Sequence, residues 1–207
     1  MENGHFPPRQ GRAPLPDNRR TMARVLVIFA HPAFERSRVN RALVAAARAT
    51  EGVTVHDLYE TYPDFLIEVR DEQRLLESHD VVVLQHPFFW YSSPALVKEW
   101  LDLVLTYRWA YGEGGTALRG KILVQAISAG GPEPAYRRGG PNHFSVRELL
   151  APFEQTARLC GMGYAEAFTV HGAHHLDATA LAAESQRYQA WLGALRDGTS
   201  PLWLPTP

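Results

Sequence analysis

A chain of 207 residues that is 45% hydrophobic is long and apolar enough for one globular domain with a full core. Its net charge of −1 excludes the basic footprint of a nucleic-acid binder and speaks against a carrier that docks through a strongly charged face. The single cysteine, Cys160, excludes an intramolecular disulfide, and with neither a signal peptide nor an apolar run of membrane-spanning length the expected location is cytoplasmic.

In chain order, residues 1–22 mix Pro7, Pro8, Pro14 and Pro16 with four arginines and are expected to form a mobile arm, with Met22 an alternative start. Arg24 to Ala30 (RVLVIFA) is apolar without alternation, which predicts a strand covered on both faces. A polar loop follows from His31. Then Val39, Leu43, Ala46, Ala47 and Thr50 recur at helical spacing behind Ser37, a natural N-cap. Strand, polar loop and helix N-terminus make an anion site from free N–H groups and the helix dipole. His31, Ser37 and Asn40 add side-chain donors, and Arg36 or Arg38 adds positive charge. The set suits a single phosphate, since the loop has neither the GxxxxGK(S/T) of triphosphate loops nor the GxGxxG of dinucleotide folds. A plain capped helix after a turn is the alternative.

Val53 to Asp57 reads as a second strand, residues 59–69 as an irregular aromatic connection, and Arg70 to Ser78 as a short helix. Val81 to Leu84, between Asp80 and Pro87, predicts a buried third strand. A helix is expected from Pro94 to Thr106 with Ser93 as N-cap and Pro94 in the first position. Between them lie Pro87, Phe88, Phe89, Trp90 and Tyr91, at a strand end where open α/β sheets bind ligands. These rings either stack on a flat ligand such as a flavin, or cap the core or a subunit interface. Leu96, Trp100, Leu103 and Tyr107 mark one stripe of the helix, and Val97, Leu101 and Leu105 another. A helix apolar on two sides is buried twice, and the second surface is assigned to a homodimer partner, with a larger single-chain core the alternative.

Ile122 to Ile127 is the fourth strand, and Ser128-Ala129-Gly130-Gly131 after it lets a ligand approach the backbone. The long loop 132–144 reads as a lid. Ser145 and Glu148 form a capping box, with Val146, Leu149, Leu150, Phe153, Ala157 and Cys160 on one helical face behind it. Tyr164 to Val170 is the fifth strand. Asp177 caps a last helix whose Leu181, Ser185, Tyr188, Leu192 and Leu195 face inward. His171, His174 and His175 have no cysteine or carboxylate cluster beside them, so no metal is expected. The result is an α/β fold, a doubly wound five-stranded parallel sheet of order 2-1-3-4-5 with helices on both faces, spanning residues 23–197 ahead of a loose tail, 198–207. The three loops meet at the switch point. Together they offer a phosphate site, a stacking surface and a close backbone approach, which describe a flavin mononucleotide pocket.

Several stretches carry a resemblance. They are Phe29-Ala30-His31-Pro32 with Ser37 and Asn40; Gln85-His86-Pro87 running on through Trp90-Tyr91-Ser92 to Trp100-Leu101-Asp102; and Trp109-Ala110-Tyr111-Gly112. In order and spacing they resemble the NAD(P)H quinone oxidoreductases, the flavodoxin-like family that includes DT-diaphorase. Within it, the ancillary subunits of glutathione-regulated potassium efflux systems are similar, and His56-Asp57-Leu58-Tyr59 and Tyr62-Pro63-Asp64-Phe65 fit that subgroup. The resemblance implies a homodimer that binds FMN, with FAD the alternative, and passes hydride from NAD(P)H to a quinone. By it, His31, Ser37, Arg38, Val39 and Asn40 hold the flavin phosphate, and Pro87 to Tyr91 cradle the ribityl chain and ring. Ser128, Ala129, Gly130 and Gly131 meet the ring edge through N–H groups that stabilise the anionic reduced ring. Tyr136 takes the family's catalytic tyrosine position. The matching histidine position holds Asn142, which leaves His143, one residue on, as the substitute. Two other roles are implied: a regulatory subunit of a potassium antiporter at the inner face of the membrane, and a flavodoxin-type electron carrier.

Overall fold

The computed structural model describes residues 22–199, so the readings of residues 1–21 as an arm and 200–207 as a tail lie outside the described residues. Four long parallel strands form the frame: β1 (Val25–Phe29), β2 (Val53–Asp57), β3 (Val81–Pro87) and β4 (Ile122–Ser128). They lie in the order β2-β1-β3-β4, and β4 also pairs with two short strands, β5 (Gly163–Tyr164) and β6 (Phe168–Val170). The side chains of β1 show why the run has no polar alternation. Val25 and Val27 enter one core with Val81, Val83, Ile122 and Val124, while Leu26 and Ile28 enter the other with Val82, Leu84, Leu123 and Ile127.

Helices α1 (Arg38–Arg48) and α7 (Ala178–Arg196) cover the first face, with Leu43, Tyr188 and Leu192 buried beneath them. The other face is covered by α2 (Leu58–Thr61), α3 (Val69–Glu77), α4 (Ala95–Val104), α5 (Val146–Leu149) and α6 (Ala151–Leu159). The predicted doubly wound order is therefore present, and the predicted caps at Ser37, Ser145 and Asp177 all accept their backbone bonds.

Four details differ from expectation. The sheet has six strands, because the fifth is split. Ile122 and Leu123 pair with Gly163 and Tyr164, whereas Ala126 pairs with Phe168, so the edge carries one residue more than β4 over this span. That extra residue is a bulge, and it interrupts the strand at residues 166–167. The stretch after β2 is not wholly irregular, since Asp57 accepts from Tyr59 N–H and Glu60 N–H and starts α2. The N-cap of α4 is Pro94 with no side-chain bond, rather than Ser93. The helix after Ser145 breaks at Leu150, because the ring of Pro152 cannot continue the preceding turn.

One polar knot sits between β2, α2, α3 and α4. The Glu72 carboxylate is 2% exposed; it accepts from Tyr62 Oη and Trp100 Nε1, each at 2.7 Å, and lies 2.8 Å from His56 Nε2. Burial pushes its pKa up, but the bonds from His56, Tyr62 and Trp100 outweigh that and hold it below the usual glutamate range. On α4, Leu96, Val97, Trp100 and Val104 are buried, while Leu103 is 39% exposed and Tyr107 beyond the helix 55%.

Candidate active site

Because β1, β3 and β4 run parallel, the loops after all three leave one edge of the sheet. They enclose a cavity of about 850 Å³. In the first loop, Ser37 Oγ accepts from Asn40 N–H at 3.2 Å and from Asn40 Nδ2 at 3.1 Å. Asn40 Nδ2 also donates to Ser128 Oγ at 3.0 Å, tying the first loop to the third. The first-turn N–H groups at Arg38 and Val39 have no intrahelical acceptor, and Arg36 and Arg38 line the same wall. Asn40 Oδ1 is buried without a partner. His31 Nδ1 accepts from Ala33 N–H at 3.0 Å, and burial, opposed by Glu35, draws its pKa down. This end of the cavity gathers backbone donors and arginines, the chemistry that suits an anion.

The second loop is a tight turn. Phe89 and Ser92 pair, Ser92 N–H donating to Phe89 O at 2.9 Å, and the residues between them, Trp90 and Tyr91, have φ of 48° and 63°. Two successive left-handed residues make a turn that usually takes Asn and Gly, and two large rings are an exception that asks for a reason. Trp90 is 92% exposed. Phe88 is buried against Tyr91 and Tyr136, and Tyr91 Oη donates to Asn142 Oδ1 at 3.2 Å, joining this turn to the long loop. Beneath it His86 is fully buried, stacked on Phe153, its Nε2 unpartnered and its pKa pushed down by burial to about 4.

In the third loop Gly130 and Gly131 line the cavity, and Tyr136 Oη lies 3.3 Å from where a Cβ on Gly131 would be. Burial pushes the Tyr136 phenol up, against an opposing bond from the Gly131 N–H. Ala129 is fully buried, and its N–H donates to Val170 O at 2.8 Å, so that donor is already committed.

Thirteen of the fourteen expected binding residues, all but Ala129, line this cavity, as does Tyr136. His143 does not. It is exposed, at φ 61°, outside the wall that Asn142 fills. The cavity also takes Ala33, Arg36, Ala173 and His174, of which the last was considered only as a metal ligand. His174 arrives because Gly172 N–H donates to Gly131 O and Ala173 N–H to Ala129 O, which pulls the segment after β6 under the third loop. His171 instead lies behind Tyr136, ring centroids 5.4 Å apart, in the wall of a separate cavity of about 610 Å³. Among the described residues, no three His, Cys, Asp or Glu side chains are grouped as metal ligands.

The family model described as flavodoxin-like fold matches residues 23–192. The chain belongs to that family. A relative, the glutathione-regulated potassium-efflux system ancillary protein KefG of Pectobacterium carotovorum, is 44% identical over 171 residues, 83% of this chain and 93% of its own. The structure of general stress protein 14 from Treponema denticola, in complex with FMN, is 42% identical with TM-score 0.77, covering 83% of this chain and 99% of its own. That of an NADPH-quinone reductase from P. pentosaceus is 34% identical with TM-score 0.74, covering 81% and 96%.

Proposed function

We propose that this flavodoxin-like protein is an NAD(P)H-dependent oxidoreductase that uses FMN to pass hydride from a nicotinamide to a quinone. The observation that carries the reading is the open cavity of about 850 Å³ with an anion-binding end, an aromatic turn and a glycine wall. Its size lies within the range of small-ligand sites. The residues fit FMN: Ser37, Asn40 and the first turn of α1 offer donors to a phosphate, and the buried, unpartnered Asn40 Oδ1 is an acceptor that a bound hydroxyl would satisfy. His31, Arg38 and Val39 complete the phosphate end, and Pro87 to Tyr91 form the stacking wall. Gly130 supplies an N–H group at the opposite wall beside Ser128, where the bare Gly131 backbone allows close approach, with Ala129 as buried support. Tyr136 is the catalytic hydrogen-bonding group; His143, outside the wall, joins it only if the long loop moves. Bound FMN supplies the hydride chemistry, and the protein's part is to hold it, orient it and leave one face open to nicotinamide and quinone in turn. The FMN-bound and quinone-reductase structural relatives support the cofactor and the acceptor class.

The purified protein, supplied with FMN, is expected to be yellow, to bleach with NAD(P)H and to regain colour on adding a quinone. A colourless protein that takes up no flavin overturns the reading. Rapid two-electron reduction with no stable one-electron state separates it from an electron carrier.

A second reading, as ancillary subunit of a potassium antiporter, is favoured by the 44% identity to KefG. None of the described helices is long and apolar enough to cross a membrane, so under this reading the chain docks on the antiporter at the membrane's inner face. Potassium efflux unchanged by deletion of the gene would count against it.

A further inference from the structure

We propose that His174 is the proton donor to the acceptor reduced at this site, an inference that rests on the flavin oxidoreductase reading. A quinone becomes a hydroquinone by taking one hydride and one proton. The hydride brings both electrons and one hydrogen. The second carbonyl oxygen, left as an alkoxide-like anion, must take its proton from a donor within reach in the cavity.

The other titratable or charged side chains that line the cavity are poorly suited. Arg36 and Arg38 do not release protons at ordinary pH. His31 stands in the first loop at the anion end, with Nδ1 occupied by Ala33 N–H. Tyr91 donates to Asn142. Tyr136 is pushed by burial further from neutrality. On the segment of His174 itself, His171 faces the separate cavity behind Tyr136, and His175 lines neither. That leaves His174 as the imidazole at the glycine wall.

Its placement is specific. The Cδ2 and Nε2 atoms of His174 both lie 3.1 Å from the position a Cβ would take on Gly130. A side chain at Gly130 would crowd the ring at this distance, and the bonds from Gly172 N–H and Ala173 N–H fix the backbone that carries it. The ring is also exposed, so water can return its proton. In the step, the Nε2–H bond breaks, its electron pair stays on nitrogen, and the proton forms the second hydroquinone O–H. NAD(P)H is the reductant, and the net uptake is one proton from solvent per turnover.

The test compares the FMN-loaded wild type with His174→Gln and His174→Phe, using a quinone and, separately, ferricyanide, which takes electrons without a proton. The expected result is a quinone-to-ferricyanide rate ratio lowered at least about tenfold in both variants and restored in part by added imidazole. An independent readout is the ¹³C-labelled histidine NMR spectrum. The His174 line, assigned by its absence in the variants, should move on adding FMN. An unchanged ratio, or a line that FMN leaves in place while FMN binds, overturns the inference and leaves the flavin reading standing. Failure of the wild type to take up FMN removes both.

Discussion

Trp90 holds a backbone conformation that its own side chain disfavours, and a residue does so only where its surroundings or its task require it. Replacing it by glycine relieves about 1 kcal/mol of left-handed strain but adds a similar cost in unfolded-chain entropy. The variant Trp90→Gly should therefore keep its stability within about 1 kcal/mol by thermal melting, while FMN affinity, followed by flavin fluorescence, falls at least about tenfold. A larger loss of stability would mean that the ring packs on the protein rather than serving a ligand. His86 gives a second prediction. Its folded pKa of about 4 lies below the unfolded 6.5, so its share of stability is complete above pH 6.5 and is lost as pH falls from 6.5 toward 4. The full effect is about 3 kcal/mol, and His86→Phe should flatten the urea-unfolding profile across that window. At this scale the sequence was readable wherever a residue sits at a strand end beside its helix cap, as His31, Ser37 and Asn40 do. It was mute on His174, whose place depends on two backbone bonds between segments more than 40 residues apart.

Among the elements, hydrophobic pattern marked β1, β3 and β4 as apolar runs and α1, α4 and α7 by helical spacing, because each buries a face or both. What it missed was short or set by pairing. The α2 turn is four residues held by Asp57, and the bulge between β5 and β6 appears only when Ala126 is seen opposite Phe168 rather than its predecessor. The Glu72 knot was equally hidden, since a lone glutamate in a helix reads as a solvated charge. Glu72→Gln leaves one carbonyl oxygen for three donors from His56, Tyr62 and Trp100, so at least one is stranded. The expected cost is about 2 kcal/mol by denaturant unfolding, with Trp100 fluorescence altered and flavin binding little changed. Because the knot lowers the carboxyl pKa, its stabilisation is present above the unfolded value of 4.5 and is lost below it, under the window of His86.

For the whole molecule, the doubly wound order follows from strands that are apolar on both sides, and that order is what gathers three distant loops at one rim. Assembly is the part that a single chain does not display. The expected homodimer would use the α4 side, where Leu103 and Tyr107 stay exposed. Tyr107→Glu should shift the sedimentation coefficient from that of a pair to that of one copy; a coefficient the substitution does not change would place the contact elsewhere or exclude it.

The bulge bears on this as well. It leaves the outer border of the sheet as pieces of two and three residues, out of step with each other. A neighbouring chain meets no continuous row of amides there to zip onto, so runaway stacking of sheets is blocked from that side. Self-association at that flank is thereby left to side chains, which can be tuned one at a time, rather than to the backbone, which cannot.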